Sequence, residues 1–342
     1  MTTYKQAGVD IEAGDAASKA AYTAAKNTFA SREGMIGAPV TKDGGYAGML
    51  DMGDFYLIQN DDGVGTKVLI ANKIEKYDTL GYDLLCMVVD DAVCLGAEVI
   101  SITNTLDVAR VDAGITEQLM QGLQEACNLQ KVVIPGGEIA EVPDLSKGLI
   151  WNATAVGIVG KDKVIDGSQI EPGQTILALP AEGFRSNGLT LTRYILDVAF
   201  GPNWAFNQFD DEQTWGEAVL TPSIIYHDAI LNIIGRYGQE AKAKITGIAH
   251  ITGGGLKGNL SRILKGAVVN WTKDKIPAVM RKVQELGDVS NEEAFKTWNM
   301  GMAMLLVTPE PEKVIELFAD QGITAYNVGE VTDGDEIVLN YN

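Results

Sequence analysis

A short stretch near the start of the chain, "IQNDDGVGTKVLIA" (residues 58–71), concentrates groups that bind a polyanion. Asp61 and Asp62 stand beside a glycine turn that ends in Thr66 and Lys67. Free backbone amides and a lysine suit phosphate oxygens, while a carboxylate holds the divalent ion that bridges them. The spacing matches neither a Walker A loop nor GxGxxG, and a tight hairpin turn with solvated acids is the alternative interpretation.

A second acid lies in a predicted helix over residues 76–96. Three apolar residues share one helix face with Asp91: Leu84, Val88 and Leu95. A carboxylate on a buried face requires a cation, a metal ion or several hydrogen-bond donors. A metal site and a salt bridge to a neighbouring segment are equally compatible with this helix. Asp90 lies about 100° round the helix and is expected to be solvated.

A third acid follows a glycine pair in "PGGEIAEVP" (residues 135–143). Gly136 and Gly137 let the backbone approach a ligand closely, so Glu138 could join Asp62 and Asp91 as an oxygen ligand of Mg²⁺. Taken alone, Gly-Gly-Glu after a strand is more often a turn. The three acid positions together favour a metal site.

Two later loops offer backbone amides to an anion. Arg185, Ser186 and Asn187 stand just before a helix that begins near Leu189, although a simple N-cap explains the same residues. The stretch "HITGGG" (residues 250–255) places three glycines before another helix, which suits close approach to a phosphate. We interpret its histidine, His250, as a core residue.

The elements that must position these groups alternate between strands and helices in both halves of the chain. Strands are predicted at residues 55–60, 97–106, 131–137, 149–160 and 301–308, with a closing strand pair. Helices are predicted at residues 76–96, 116–128, 188–199, 223–237, 276–286 and 310–321. This order predicts two α/β domains, residues 1–168 and 169–342, with the boundary in the turn-rich stretch 166–174.

Composition excludes several classes of function. The 342 residues carry a formal net charge of -19, and no cluster of Lys and Arg suits a nucleic-acid backbone. No apolar run is long enough to span a membrane, and a cytoplasmic protein is expected. The three cysteines form no CxxC pair and the chain has two histidines, which argues against a zinc site.

Several stretches, taken in order, resemble the aminoimidazole ribonucleotide synthetase family, the phosphoribosylformylglycinamidine cyclo-ligases of purine biosynthesis. They are "YKQAGVDIEAG", "DDGVGTK", "DLLCMVVDDAVCLGAE", "GGEIAEVP", "RSNGLTLTR", "LTPSIIY", "HITGGGLKGNL" and "WNMGMAM". The resemblance implies the two-domain fold of that family and a ligase that uses ATP and Mg²⁺. ATP would phosphorylate the formyl amide oxygen of the substrate, and the amidine nitrogen would then close the imidazole ring. It also implies a cytoplasmic homodimer in which the first-domain sheets pair across the interface.

The resemblance assigns roles residue by residue. Mg²⁺ would be held by Asp62, Asp91 and Glu138, and the catalytic set would be Asp62, Asp91 and Lys67. The nucleotide would meet Gly63, Gly65, Thr66, Lys67, Gly136, Gly137 and Glu138. The phosphorylated substrate would meet Arg110, Arg185, Ser186, Asn187, Thr252, Gly253, Gly254 and Gly255. Residues 4–14 would form a flexible cover over the site.

The chain departs from the family pattern at several of these positions. Arg185 stands where the family usually has histidine, Asp90 where it has asparagine, and Arg110 where it has lysine. Two other functions are therefore kept open. One is another small-molecule kinase of the same superfamily, of the thiamine phosphate kinase type, and the other is a non-catalytic diverged paralogue.

Overall fold

The computed structural model describes residues 6–8, 11–41 and 44–341 of the chain. Its strands are β1 (Ala38–Pro39), β2 (Gly48–Asp51), β3 (Phe55–Gly63), β4 (Glu98–Val108), β5 (Val133–Glu141), β6 (Leu149–Gly160), β7 (Thr175–Pro180), β8 (Gly247–His250), β9 (Ala267–Trp271), β10 (Met302–Thr308), β11 (Tyr326–Val331) and β12 (Ile337–Tyr341). Its α-helices are α1 (Ile11–Lys26), α2 (Val68–Ile74), α3 (Leu80–Val93), α4 (Ala113–Gln130), α5 (Leu189–Phe200), α6 (Trp215–Leu220), α7 (His227–Ile234), α8 (Gly255–Leu260), α9 (Ala278–Leu286), α10 (Asn291–Thr297) and α11 (Pro311–Ala319). Short 3-10 turns lie between some of them.

The strands form two six-stranded sheets, which confirms the mixed α/β class. The first sheet has the order β1-β2-β3-β6-β4-β5, and the second has the order β12-β9-β11-β7-β10-β8. The first therefore uses strands up to residue 160 and the second uses strands from residue 175. The domain division at residue 168 stays a prediction, and it falls in the segment between these two sets of strands.

The first sheet has one covered face and one open face. Along β6 the burial alternates residue by residue, with Trp151 and Ala153 buried and Ile150 and Asn152 exposed. A period of two is what a strand with helices on only one side requires. We call the side of Trp151 the helix face and the side of Ile150 the open face.

Helices α3 and α4 cover the helix face, and their close packing depends on glycine. A Cβ on Gly81 would lie 2.0 Å from the backbone nitrogen of Leu123, and one on Gly122 would lie 1.8 Å from the carbonyl oxygen of Asp78. Larger residues would force the helices apart. The Asp112 side chain begins α4 by accepting hydrogen bonds from the amides of Gly114 and Ile115, a standard N-cap.

The central strands of the second sheet are buried on both faces. All seven residues of β10 are buried, which explains why "MAMLLVT" lacks alternation. β10 pairs antiparallel with both β7 and β8. Because β8 pairs with the buried strand β10, His250 at the end of β8 is held in place, next to the first half of the chain.

Two predictions about elements are wrong. The pair Gly136-Gly137 does not end a strand, because β5 continues through it to Glu141 in parallel pairing with β4. The last two strands do not pair with each other, since β9 lies between β11 and β12. Of the predicted cover, residues 4–14, four residues (4, 5, 9 and 10) lie outside the described residues, and residues 11–14 form the start of α1. Within the described chain, no helix has the length and apolar character needed to cross a membrane.

Candidate functional site

Asp62 on β3 and Asp91 on α3 lie close enough for the charge of Asp91 to act on Asp62. Asp62 points to the helix face, and burial raises its pKa to about 6, with the Asp91 charge adding to the shift and the Gly63 amide opposing it. Burial likewise raises the pKa of Asp91 to about 7, against the opposing charges of Arg262 and Arg185. The Asp91 side chain keeps 19% of its surface exposed. Two partly accessible carboxyls that resist ionisation together are suited to a divalent cation.

His250 holds Asp91 in place. Its Nδ1 lies 2.7 Å from Asp91 Oδ1, and burial lowers the pKa of His250 to about 3, so the ring is neutral. When Asp91 is ionised, the neutral ring donates its Nδ1 proton to the carboxylate. The prediction of a core histidine is correct as to burial, since the side chain is 0% exposed. It missed the contact with Asp91, which joins β8 to α3.

Glu138 does not share a site with Asp62 and Asp91 within one chain. Pairing places Asp62 beside Ala153, Ala153 beside Asn104, and Asn104 beside Gly137, in one row across the sheet. Three strand spacings separate the ends of this row by about 14 Å. Glu138 is the next residue along β5 and therefore points to the open face, opposite to Asp62. Within one chain the three predicted ligands therefore do not converge on one ion.

Lys67 is buried rather than presented to a ligand. Its side chain is 0% exposed, and its Nζ donates to Asp83 Oδ1 at 2.8 Å and to the carbonyl of Thr221 at 2.6 Å. Asp83 Oδ1 also accepts from the amide and hydroxyl of Ser223. The expectation that Lys67 contacts a nucleotide phosphate is therefore corrected, because its ammonium group joins α3 to the second half of the chain.

Arg185 also points into the protein. Its guanidinium Nη2 lies 2.5 Å from Asp90 Oδ2, and the two side chains are 2% and 0% exposed. The same nitrogen contacts Cys86 Sγ. The prediction that Asp90 is solvated is wrong. Arg185 was predicted to contact the substrate, but its side chain is buried in this ion pair.

Cys86, Asp90 and His250 form a buried cluster of possible metal ligands, with one ligand atom from each within 4.8 Å of the others. The Arg185 guanidinium contacts both Cys86 and Asp90, so a positive charge already occupies this cluster. Burial also raises the pKa of the Cys86 thiol well above its usual range, which disfavours the thiolate that a metal requires. The cluster is an internal ion pair rather than a cation site.

Three amide-rich turns meet beside the two acids. A Cβ built on Gly65 would lie 3.7 Å from the Ser186 carbonyl oxygen, and one on Gly253 would lie 3.7 Å from Asn187 Oδ1. The hydroxyls of Thr66 and Thr190 are 3.4 Å apart. The glycine turn after β3, the loop before α5 and the loop before α8 are therefore neighbours, although they are far apart in sequence.

The triple-glycine loop is held by a buried amide. Asn259 Nδ2 donates to the carbonyls of Thr252, Gly253 and Gly255. Gly254 and Gly255 have φ of 88° and 66°, and a Cβ on Gly255 would lie 1.8 Å from the Phe295 carbonyl oxygen. These glycines are required by the backbone conformation itself.

Two residues near the site have no recognisable signal in the sequence. The Tyr46 hydroxyl donates to the Asn259 carbonyl at 3.0 Å, and the Arg262 guanidinium carbon lies 4.7 Å from the centre of the Tyr46 ring. The Arg262 charge lowers the pKa of Asp91. Both residues lie in irregular or helix-flanking segments, so only the tertiary structure brings them together.

Arg110 lies away from Asp62, Asp91 and the three amide-rich turns. It is exposed just beyond the end of β4, and it lines a cavity of about 250 Å³ together with Asp112, Ile115 and Gly148. The end of β4 is already about 13 Å along the strand from the row of Asp62. Gly136 and Gly137 lie in the exposed edge strand β5, where Gly137 occupies the far end of that row from Asp62.

Comparison with known families agrees with this architecture. The family model described as AIR synthase related protein, N-terminal domain, matches residues 44–159, and its C-terminal counterpart matches residues 171–342. A phosphoribosylformylglycinamidine cyclo-ligase of Thermococcus kodakarensis is 40% identical over 92% of this chain and 90% of its own length. The chain belongs to this cyclo-ligase family.

Other comparisons support the same assignment and the fold. A phosphoribosylformylglycinamidine cyclo-ligase of Pyrococcus furiosus is 36% identical over 99% of this chain and 98% of its own length. The solved structure of AaThiL complexed with AMPPCP and TMP has a TM-score of 0.58 and 13% identity, covering 86% of this chain and 87% of that one. At that identity the likeness concerns the fold alone.

Proposed function

We propose that this member of the family closes the imidazole ring of aminoimidazole ribonucleotide from phosphoribosylformylglycinamidine, with ATP as the phosphoryl donor. The support from sequence is the family membership across nearly the whole chain. The observation that carries the proposal is the pair Asp62 and Asp91, with three amide-rich turns converging beside it. The AMPPCP bound to AaThiL supports a nucleotide site on this fold.

The chemistry needs positioning and charge neutralisation more than a protein nucleophile. The formyl amide oxygen is a poor leaving group until it accepts the γ-phosphoryl group of ATP. The amidine nitrogen then attacks the activated carbon, the ring closes, and the oxygen leaves as phosphate, so the products are aminoimidazole ribonucleotide, ADP and phosphate. A site of oriented amides and acids suits such a reaction.

Asp62 and Asp91 would hold Mg²⁺. Two carboxylates combined with phosphate oxygens are the usual protein setting for this ion. The residues fit, because the carboxyls lie close enough for the Asp91 charge to raise the pKa of Asp62. When bound, Mg²⁺ neutralises charge on the phosphoryl group being transferred. Within this proposal His250 keeps Asp91 oriented by its 2.7 Å contact.

The turns would bind the two phosphorylated ligands. The amides of Gly65 and Thr66 are assigned to the nucleotide phosphates, whereas the predicted donor Gly63 already donates its amide to Asp62 Oδ1 at 2.7 Å. The substrate phosphate is assigned to the loops Ser186-Asn187 and Thr252–Gly255. The two loops are neighbours, since a Cβ built on Gly253 would lie 3.7 Å from Asn187 Oδ1, and this supports a common substrate cradle. Neither Lys67 nor Arg185 is part of it.

A cytoplasmic homodimer built through the open face of the first sheet is also proposed. Large apolar side chains lie uncovered on this sheet, with Ile100, Val133 and Ile150 exposed by 42%, 62% and 49%. Exposed aliphatic side chains on an uncovered sheet are typical of a face that another chain covers. A second copy of the same chain would bury this face symmetrically.

The test is an assay of ADP release from ATP and Mg²⁺, with phosphoribosylformylglycinamidine and thiamine monophosphate as separate substrates. We expect release only with the former, together with formation of the aminoimidazole product. Asp91→Asn should lower turnover at least 100-fold, whereas Asp61→Asn, a neighbour of Asp62 that points to the open face, should change it less than 3-fold. Release with thiamine monophosphate alone would replace the proposal by a kinase, and release with neither would favour the non-catalytic paralogue.

A further inference from the structure

Arg185 has an unusual backbone and an unusual side-chain position. Its φ is 58°, a left-handed conformation that non-glycine residues adopt at an energetic penalty. From there the side chain extends inward and is 2% exposed. It donates to the carbonyls of Ala303 and Ile224 as well as to Asp90. This strained conformation is held by a set of buried hydrogen bonds.

Asp90 is equally committed. While its Oδ2 pairs with Arg185, its Oδ1 accepts from the backbone amides of Tyr226 and His227 at 3.0 and 3.1 Å. These amides lie at the start of α7, in the second half of the chain. One carboxylate in α3 therefore fixes both the loop before α5 and the start of α7.

We propose that Asp90 and Arg185 form a positioning pair that sets the distance between the Asp91 carboxylate and the substrate loop. Asp91 follows Asp90 in α3, and Ser186 follows Arg185 in the loop before α5. Each member of the pair is the direct chain neighbour of a site residue. The pair thus links the acid assigned to Mg²⁺ to the loop assigned to the substrate phosphate. The inference rests on the proposed function for these two roles, while the link itself is a property of the geometry.

The two charges compensate each other inside the protein. Asp90 and Arg185 are in contact at 2.5 Å, and both side chains are buried. A buried carboxylate without the guanidinium, or a buried guanidinium without the carboxylate, would be left uncompensated. The two side chains therefore act as one unit, and removing both charges should cost less than removing either one alone.

This pairing assigns Arg185 a role different from direct anion binding. Its guanidinium is surrounded by Asp90, Cys86 and two carbonyl groups, so a substrate phosphate cannot reach it without breaking the pair. Substrate recognition falls to the backbone of the loop and to Ser186 and Asn187. Arg185 acts through them.

The experiment is a double-mutant cycle of Asp90→Asn, Arg185→His and the double variant. Each protein is measured for kcat, for the KM of each substrate at 20 °C, and for amide hydrogen exchange over residues 185–189. Each single variant should raise the KM for phosphoribosylformylglycinamidine at least 10-fold and speed exchange of the loop at least 10-fold. The double variant, which replaces the ion pair by two neutral side chains, should recover to within 3-fold of the parent in both KM and loop exchange. Arg185→Lys keeps the positive charge but loses the planar guanidinium group, so its KM and its loop exchange rate should lie between those of the parent and of Arg185→His.

A matched control is the pair Glu98 and Arg236, which also joins the two halves of the chain, with Glu98 Oε1 2.6 Å from Arg236 Nη1. Glu98→Gln with Arg236→His should lower the melting temperature and leave KM and loop exchange unchanged. Unchanged loop exchange in both single variants of the first pair, or no recovery in the double variant, would overturn the positioning role. If a single variant fails to fold, a folded double variant supports the coupling and an unfolded one overturns it.

The exchange measurement separates this inference from the proposed function. Faster loop exchange in the single variants, in a protein that turns over no substrate, would keep the positioning pair and remove the ligase. Normal turnover with unchanged exchange would keep the ligase and remove the pair.

Discussion

Replacing Asp91 with asparagine in the metal-free protein should stabilise the fold at alkaline pH. Asp91 has a pKa of about 7 in the folded chain, compared with an ordinary value of 3.8. Between these two values the folded state binds a proton that the unfolded state has lost. The free energy of unfolding therefore falls as the pH rises from about 4 to about 7, and the penalty is complete above pH 7.

The size of the effect follows from this difference. A pKa near 7 instead of 3.8 corresponds to about 4 kcal/mol when the carboxyl is ionised. Because Asp91 keeps 19% of its side chain in contact with solvent, we expect about half of this, about 2 kcal/mol. Asparagine has nearly the same shape and can still accept a hydrogen bond from His250 Nδ1. The variant should therefore lose the charge without losing the contact.

The assay is urea unfolding of the parent and Asp91→Asn at pH 5 and pH 8, in the presence of a chelator and then of Mg²⁺. The difference between the two proteins is used because His227, whose pKa is lowered to about 3, opposes the trend and contributes equally to both. At pH 8 without metal the variant should be more stable by about 2 kcal/mol. At pH 5, about a third of the way from 3.8 to the folded pKa of about 7, the difference should fall to about 1 kcal/mol or less. Mg²⁺ at 100 times its Kd should stabilise the parent by about 2.7 kcal/mol and leave the variant unchanged.

Asp61→Asn is the control, since Asp61 points to the open face and bonds to Thr154. It should show neither effect. A variant at Asp91 that is no more stable at pH 8 would refute the view that burial opposes ionisation of Asp91. A variant that still responds to Mg²⁺ as the parent does would refute the view that Asp91 binds the cation.

Three further predictions concern Lys67, Asn259 and the open face of the first sheet. Lys67→Met should lower the free energy of unfolding by about 3 to 5 kcal/mol, because it leaves Asp83 buried without a cation. Urea unfolding measures this, with the exposed-site variant Lys76→Met as the control. Loss of turnover in a Lys67→Met protein of unchanged stability would instead indicate a direct catalytic role. Asn259→Ala removes the side-chain amide that donates to three carbonyls of the glycine loop, and it should raise the KM for phosphoribosylformylglycinamidine about 10-fold. Asn270→Ala is the control. An unchanged KM in Asn259→Ala would show that these hydrogen bonds are not needed to hold the loop for substrate binding. Ile150→Lys should convert a dimer to a monomer in sedimentation velocity, because it places a charge on the open face. The control is Val198→Lys, at a 72% exposed position on α5, which should not change the dimer. A dimer that persists in Ile150→Lys would show that the interface lies elsewhere.

Much of the fold could be predicted from local patterns. The strand at residues 149–160 agrees with β6 because one face is covered and the other is open, so alternation is preserved. Short elements and strand ends were less accessible. Gly136-Gly137 looked like a turn because glycine usually ends strands, yet parallel pairing with β4 carries β5 through it.

The candidate site was predicted in part. The importance of Asp91 and of the amide-rich turns followed from residue type, and the structure does bring those turns together. Asp90 was assigned to the wrong environment because the periodicity of α3 identifies a face but not what covers it. Asp90 is the residue that meets buried Arg185, while Asp91 meets His250 at a partly open edge.

The sequence by itself determined the family, the mixed α/β class and the residue types available for phosphate chemistry, since these depend on motifs and on periods of 2 and 3.6 residues. Only the tertiary structure decided which charges face a ligand and which neutralise one another inside the protein. Lys67 and Arg185 carry the same charge whether exposed or buried, and a partner such as Asp83 or Asp90 comes from a distant segment that no local pattern specifies. Strand register likewise decided that Glu138 and Asp62 point to opposite faces, because a strand reverses its side chains at every residue.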